Sequence, residues 1–377
     1  METRFDTTSD APGKILWLGG YSVLERPNTS FVTTVNAKIS ANAKSLEGNR
    51  IVIDAPQLNA RANGVIDPNT GILSMTVPEE LILLKSSMEV ASRYVAGLGI
   101  KLEGMQLSTK SDSAFSYKIS NGKITKSGLG SSAAVTVASI GAVLKAYKID
   151  LLHDEALHKL SQTAHSIATG KVGSGFDIAA ASYGSIIYTR YSPEIIKELP
   201  SEYSNEQLVS LVKKQWDYKI EKFSLPEEFR LLFANFGEAM ITTKAVGGVS
   251  DFKKKSPEAY AKIMKEINDE NVNAISALKK IKKGDIGAYD EFKSAFERGR
   301  LLTKKMGELS NVGIEPDDCT NLIEESKNNG AFVAKLPGAG GKDAISALTV
   351  DKDSYENLHK FWAAKSNLKI LKISLGS

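Results

Sequence analysis

Apolar and β-branched residues gather early in the chain in three short runs, Lys14–Leu18, Phe31–Ser40 and Arg50–Asp54, separated by glycine, asparagine and proline. That punctuation predicts strands and hairpins. From Pro78 to Gly97 the period lengthens. Leu81, Leu84, Met88, Ala91 and Val95 recur at helical spacing, with Pro78 suited to the first turn, which predicts a helix with one core-facing stripe. Tyr117–Thr125 reads as a strand. Ser131–Tyr147 is apolar on almost every side, small residues first, and predicts a helix buried nearly all round. A further helix is expected from about His153 to Thr169, ended by Gly170 in the left-handed conformation that glycine adopts without strain. Ile178–Tyr191 continues as small apolar structure ending in a strand.

Ser192–Pro226 offers prolines and mixed charges and no long apolar pattern until Phe229–Phe236, which places a domain boundary near Pro226, dividing 1–226 from 227–377. Beyond it, Ser256 and Pro257 open a long helix as N-cap and first-turn residues, and Asp285 is placed to cap a second. The tail alternates: helix Pro316–Asn329, strands Ala331–Leu336 and Ala344–Val350, helix Ser354–Ala364, strand Leu368–Leu375. These elements predict an α+β second domain, with helices on one face of an antiparallel sheet.

A chain of 377 residues exceeds what one hydrophobic core usually supports, so two domains with a cleft between them are expected. With 42% hydrophobic and 24% charged residues the composition is that of a globular protein, neither disordered nor membrane-embedded. The net charge of +4 comes from 48 basic and 44 acidic residues interspersed along the chain. Short clusters such as Lys253–Lys255 then read as solvated surface, and no nucleic-acid partner is expected. The single cysteine, Cys319, excludes an internal disulfide and a multi-thiolate metal site. No apolar run approaches the ~20 residues that span a bilayer, and the N-terminal residues lack the apolar core of a signal peptide, so a cytoplasmic protein without a membrane partner is expected.

Candidate chemistry starts at KSGLGSSAA, residues 126–134, which joins a predicted strand to the buried helix. Unpaired N–H groups and the positive dipole end at a helix start attract anions, and Gly128 and Gly130 remove the Cβ atoms that would obstruct a phosphate. Ser131 and Ser132 add hydroxyls, one able to cap the helix or bond a phosphate oxygen, the other able to ligate Mg²⁺. No Lys-Ser or Lys-Thr follows the glycines as a Walker A loop requires. The loop also fits the permissive G-x-G-x-x-A dinucleotide pattern, with Asp150 about twenty residues on as a ribose ligand, and a small-residue helix start needed only for packing would look similar.

Three more segments stand beside it: APGKILWLGGYSVL (11–24), which delivers Lys14 at the start of an apolar strand; GKVGSGFDIAAA (170–181), which holds Asp177 between a glycine loop and small apolar residues; and LPGAGGKDAI (336–345) between two predicted strands. A lone buried acid is costly unless paired, which makes Asp177 conspicuous.

With these motifs in order, the chain resembles the GHMP kinase superfamily, and their wording is most similar to the phosphomevalonate kinase branch of it. TTKAV (242–246) and GIEP (313–316) extend the likeness over nearly the whole chain. The resemblance implies an N-terminal domain like domain 2 of ribosomal protein S5, a ferredoxin-like C-terminal domain and an unusual left-handed crossover. It implies ATP bound through Lys126, Gly128, Leu129, Gly130, Ser131, Ser132 and Ala133, Mg²⁺ held partly by Ser132, and Lys14 and Asp177 as catalytic residues. Lys14, Gly20, Tyr21, Lys126, Ser174, Gly175, Gly340 and Gly341 would contact a small-molecule acceptor, phosphomevalonate. Because that acceptor is a phosphate, Asp177 is expected to position Lys14 rather than to act as a base. A simple ion pair between two loops would give Lys14 and Asp177 no catalytic part. Mevalonate-kinase-like members carry a magnesium-binding glutamate where this chain has His165, allowing a one-residue shift; a histidine is a poor Mg²⁺ ligand, and a structural role for it is expected. His153, His158 and His359 receive no role. The competing readings are a sibling enzyme of the same fold, a silent nucleotide-binding sensor, and, from the loop pattern alone, a nicotinamide-dependent oxidoreductase.

Overall fold

The computed structural model describes residues 5–118, 124–149, 155–236 and 243–376. Through residue 222 the strands are β1 (Asp6–Leu18), β2 (Ser30–Ser45), β3 (Arg50–Ala55), β4 (Ala60–Ile66), β5 (Leu73–Ser74), β6 (Met105–Ser111), β7 (Ser116–Lys118), β8 (Ile124–Lys126), β9 (Ile186–Thr189) and β10 (Lys219–Lys222). The helices of this part are α1 (Ile82–Gly97), α2 (Ser131–Ala146), α3 (Glu155–Thr169), α4 (Phe176–Tyr183), α5 (Glu194–Lys197) and α6 (Asn205–Lys213). Eight strands form one sheet in the order β10-β9-β2-β6-β3-β4-β5, with β1 paired along β2. β3 and β6 run parallel, and α1 lies on the connection between them.

β1 begins with alternating exposure and ends as a wholly buried run: α2 packs along the strand, Thr7 Oγ1 donating to Ala142 O at 3.0 Å near its start, and Leu16 in its second half clusters with Ala179 and Ala180 of α4. α2 also lies against β2, α1 and α3, which buries it on nearly every face, and at Gly141 the approach is so close that a Cβ would collide with the Ser9 side chain. The β1–β2 register slips between Pro12 and Lys14, a bulge that re-aims the strand at the position where Lys14 emerges.

The second unit comprises β11 (Arg230–Phe236), α7 (Thr243–Lys255), α8 (Pro257–Ile281), α9 (Ala288–Leu309), α10 (Asp317–Asn328), β12 (Val333–Lys335), β13 (Ala344–Thr349), α11 (Lys352–Ala363) and β14 (Leu368–Ile370). Its four strands are antiparallel in the order β12-β13-β11-β14. After β14 the chain returns to the first sheet, where Leu375 bridges Val35 and Gly376 N donates to Thr34 O at 2.9 Å.

Several expectations change. Tyr117–Thr125 is not one strand: β7 and β8 pair as a hairpin. The stretch without an apolar pattern contains α6, whose start is a capping box between Ser204 and Gln207, as well as β10. The helices are not confined to one face of the second sheet. Leu232 and Ala234 cluster with Leu322 and Leu358 on α10 and α11, while Leu231 and Phe233 join the main core with Leu278 and Phe292 on α8 and α9. Asp285 stands outside its helix and accepts from Gly287 N at 3.0 Å, and Ser256 takes the N-cap position without a side-chain bond. Asp150 and His153 lie outside the described residues, as does Thr242. No described helix is long and apolar enough to cross a membrane.

Candidate active site

Lys14 is built into the glycine-serine loop. Its backbone N–H donates to Leu129 O at 2.9 Å, and its ammonium donates to Gly128 O at 3.0 Å. Gly130 has φ +81°, and a Cβ there would lie 2.9 Å from Lys14 Cε, so the close approach of lysine and loop requires glycine. The side chain is 9% exposed. Burial pushes the ammonium below its ordinary value, and the Asp177 carboxylate pulls it part of the way back.

α2 starts directly after Gly130, with no side chain capping it. The N–H groups of its first turn therefore lack an acceptor one turn back, the arrangement that holds anions. Ser131 and Ser132 are half-buried at this end, whereas Leu129 and Ala133 point their side chains into the core and can offer a ligand only backbone. Lys126 is exposed at the end of β8.

Asp177 occupies the first turn of α4, half-buried, where the helix dipole favours an anion, and its Oδ1 accepts from Ile178 N at 3.0 Å. The preceding residue brings this helix to the lysine: Lys14 Nζ lies 5.6 Å from the Phe176 ring centroid. Gly175, its N-cap, is held by Gln162, which donates to its carbonyl at 2.8 Å.

The end of the first motif meets the third glycine loop. Tyr21 Oη donates to Ala339 O at 2.7 Å, and a Cβ on Gly20 would touch Gly338 O. Gly340 packs against the Ile314 carbonyl so tightly that any side chain would collide with it, and Gly341 N donates to the same oxygen at 2.8 Å. Behind this junction is a cavity of about 40 Å³, lined by Gly19, Gly20, Arg300, Glu315, Lys335 and Gly340 among others. Arg300 and Glu315 pair at 2.5 Å; Lys335 donates to Trp17 O at 3.0 Å, its ammonium pushed down to about 8 by burial.

Lys14, the Gly128–Ser132 loop and the Asp177 helix thus meet at one place, with Gly20, Tyr21 and the Gly338–Gly341 loop packed together on the same first motif. Asn235 escaped the sequence reading. Wholly buried on β11, it donates to both Ser127 O and Asp343 O at 3.2 Å, joining the 126–134 loop to the third motif. The one sign available was a polar residue inside an otherwise apolar strand. His165 is half-buried on α3, and among the described residues no three or more His, Cys, Asp or Glu come together as a metal site.

The families described as GHMP kinases N terminal domain and GHMP kinases C terminal match residues 89–185 and 274–367. A curated phosphomevalonate kinase from Saccharolobus solfataricus is 30% identical over 90% of this chain and 90% of its own length. The chain belongs to the GHMP kinase superfamily. A second relative of this GHMP kinase, the peroxisomal phosphomevalonate kinase of Arabidopsis thaliana, is 27% identical over 96% of the chain and 93% of its own length. In fold the GHMP kinase described here is similar to the Streptococcus pneumoniae phosphomevalonate kinase solved with phosphomevalonate and AMPPNP, with a TM-score of 0.78 at 20% identity over 98% of this chain and 99% of that one.

Proposed function

We propose that the protein transfers the γ-phosphoryl group of ATP to (R)-5-phosphomevalonate, giving (R)-5-diphosphomevalonate and ADP. The observation that carries this reading is the convergence of Lys14 on the Gly128 carbonyl beside the Asp177 helix, in a chain whose full-length curated relatives at 27% and 30% identity are phosphomevalonate kinases.

In this reading residues 1–226 and 227–377 are the two domains, and the nucleotide phosphates rest on the backbone of Gly128–Ala133. Phosphoryl transfer needs in-line positioning and neutralised oxygens more than covalent help. The acceptor phosphate has its second pKa near ~6 and is mostly deprotonated at neutral pH, so no general base is required. What must be offset is the repulsion of two anions. Lys14 supplies buried positive charge, Lys126 supplies it at the rim, and Asp177 keeps Lys14 protonated and in place. Ser174, Gly175, Gly20, Tyr21, Gly340 and Gly341 would frame the acceptor, Tyr21 through its ring and backbone because its hydroxyl is engaged by Ala339 O.

Mg²⁺ would neutralise phosphate oxygens. The donor set suits it: the half-buried Ser132 hydroxyl is a hard oxygen ligand, and with no described carboxylate cluster most of the ion's coordination would come from phosphates and water. His165 has no part in this.

Purified protein with ATP and phosphomevalonate should release ADP, and Lys14→Met should remove that activity while ATP still raises the melting temperature. ADP release only with a non-phosphorylated acceptor would overturn the assignment.

A further inference from the structure

Immediately before Asp177, three successive backbone carbonyls are each taken by a side chain from behind the loop. Arg190 Nη2 donates to Gly173 O at 2.8 Å, Tyr188 Oη to Ser174 O at 3.1 Å and Gln162 Nε2 to Gly175 O at 2.8 Å. The donors are 6%, 0% and 3% exposed. Gln162 is itself fixed, since Tyr191 Oη donates to its Oε1 at 3.2 Å and His158 Nε2 lies 3.0 Å from its amide.

Arg190 does more than hold one carbonyl. Its other arm, Nη1, donates to Leu24 O at 2.7 Å, at the end of the short turn that follows Gly20 and Tyr21. One rigid guanidinium therefore spans the first motif and the Asp177 loop. Arg26 Nη1 in turn donates to Arg190 O at 2.6 Å, so the strut is tied at its own backbone. Its Nε is buried without a hydrogen-bond partner among the described residues. Burying a charge is costly, and an apolar residue would pack this position at lower cost if stability alone mattered. A planar fork with two arms can fix both the distance and the angle between two loops; a neutral single donor cannot.

We propose that Arg190 is a positioning residue for phosphoryl transfer: its two arms set the Asp177 loop against the first motif, and so fix Asp177 relative to Lys14, with Gln162 and Tyr188 sharing the hold on the loop. The proposal rests on the reading of Asp177 as a reacting-site group. It acts at the acceptor side, since the nucleotide loop is held separately by Lys14 and Asn235.

The test is a double-mutant cycle on the full chain with Arg190→Met, Asp177→Asn and the double variant, measuring kcat and the KM for ATP. Misplacing a reacting group by about 1 Å costs up to about 10²-fold, so Arg190→Met should lower kcat by roughly ten- to a hundredfold with the KM for ATP changed less than about threefold. In the Asp177→Asn background the same substitution should cost less than about threefold, because the group it positions has gone. Arg190→Lys, which keeps the charge and one donor, should recover part of the rate. Equal losses in both backgrounds, a kcat unchanged by Arg190→Met, or a rise in the KM for ATP matching the fall in kcat would each overturn the proposal. A wild-type kcat for Asp177→Asn alone would remove the reading of Asp177 and the positioning role with it, whereas an impaired Asp177→Asn with additive losses removes only the positioning role. Should Arg190→Met not fold, Tyr188→Phe deletes a single hydroxyl of the same loop support: a loss of a few fold in the native background that vanishes with Asp177→Asn supports the proposal, and an equal loss in both overturns it.

Discussion

Gly130→Ala isolates the contact between Lys14 and the glycine-serine loop. Two effects follow from the geometry. The backbone at 130 has φ +81°, a conformation that costs an L-residue about 1–2 kcal/mol. The new methyl would also stand 2.9 Å from Lys14 Cε and 3.2 Å from Cγ. Carbon atoms rest at about 3.5–4.0 Å, so Cε must retreat by roughly 0.6 Å or more, drawing the ammonium off Gly128 O. A displacement of that order at a reacting group corresponds to roughly a ten- to hundredfold loss of rate. Gly170→Ala provides the control. Its φ of +67° carries similar strain, yet a Cβ there meets nothing within 4 Å. Thermal melts and steady-state ADP release on both variants should give similar losses of stability, with kcat reduced only by Gly130→Ala. A Gly130→Ala enzyme with wild-type kcat, or an equal fall in kcat for Gly170→Ala, would refute the argument that this glycine exists to admit the lysine.

Asp177→Asn removes the charge that holds up the Lys14 ammonium, so the alkaline limb of the pH–rate profile should move to lower pH while the acid limb stays; loss of the acid limb together with a rate as low as that of Lys14→Met would instead mark Asp177 as a base. Tyr21→Phe deletes the bond to Ala339 O and should cost about 0.5–1.5 kcal/mol in a denaturant titration, and an unchanged midpoint would deny that bond a role in joining the loops. Lys335 is pushed from 10.5 down to about 8 by burial, so between those values the unfolded chain binds the extra proton and stability should rise with pH relative to Lys335→Met; parallel stability curves over that range would contradict it. The Cys319 thiol is buried and pushed up to about 12, so iodoacetamide at pH 8 should label the protein only as it unfolds, and stoichiometric labelling of native protein would contradict the burial.

The parts of the site that the sequence revealed are the parts built from local backbone. The 126–134 loop, the turn that delivers Lys14 and the loop before Asp177 each need small residues at fixed places, and those places are visible without any tertiary knowledge. Arg190, Gln162 and Asn235 are different, because each works by donating to a carbonyl that folding alone brings near; Asn235 is 108 residues from Ser127. The fold divides in the same way. α2 was legible because burial on all sides leaves an apolar sequence on all sides. The two-faced covering of the second sheet left its own trace, a continuous buried run from Leu231 to Phe236 where a strand covered on one face would alternate. α6 was also signalled, by Ser204 and Gln207 ahead of the apolar pairs Leu208–Val209 and Leu211–Val212, and the surrounding charges hid it. Nothing local marks the return of Leu375 to Val35.

The chemistry of the acceptor separates a phosphomevalonate kinase from a mevalonate kinase of the same fold. Incubating the protein with ATP and an equimolar mixture of mevalonate and phosphomevalonate, and following the products by phosphorus NMR, reads that chemistry directly. The paired signals of a new diphosphate ester should appear in step with ADP, while mevalonate stays unchanged. A new monophosphate ester formed from mevalonate, with phosphomevalonate left intact, would contradict the proposed function.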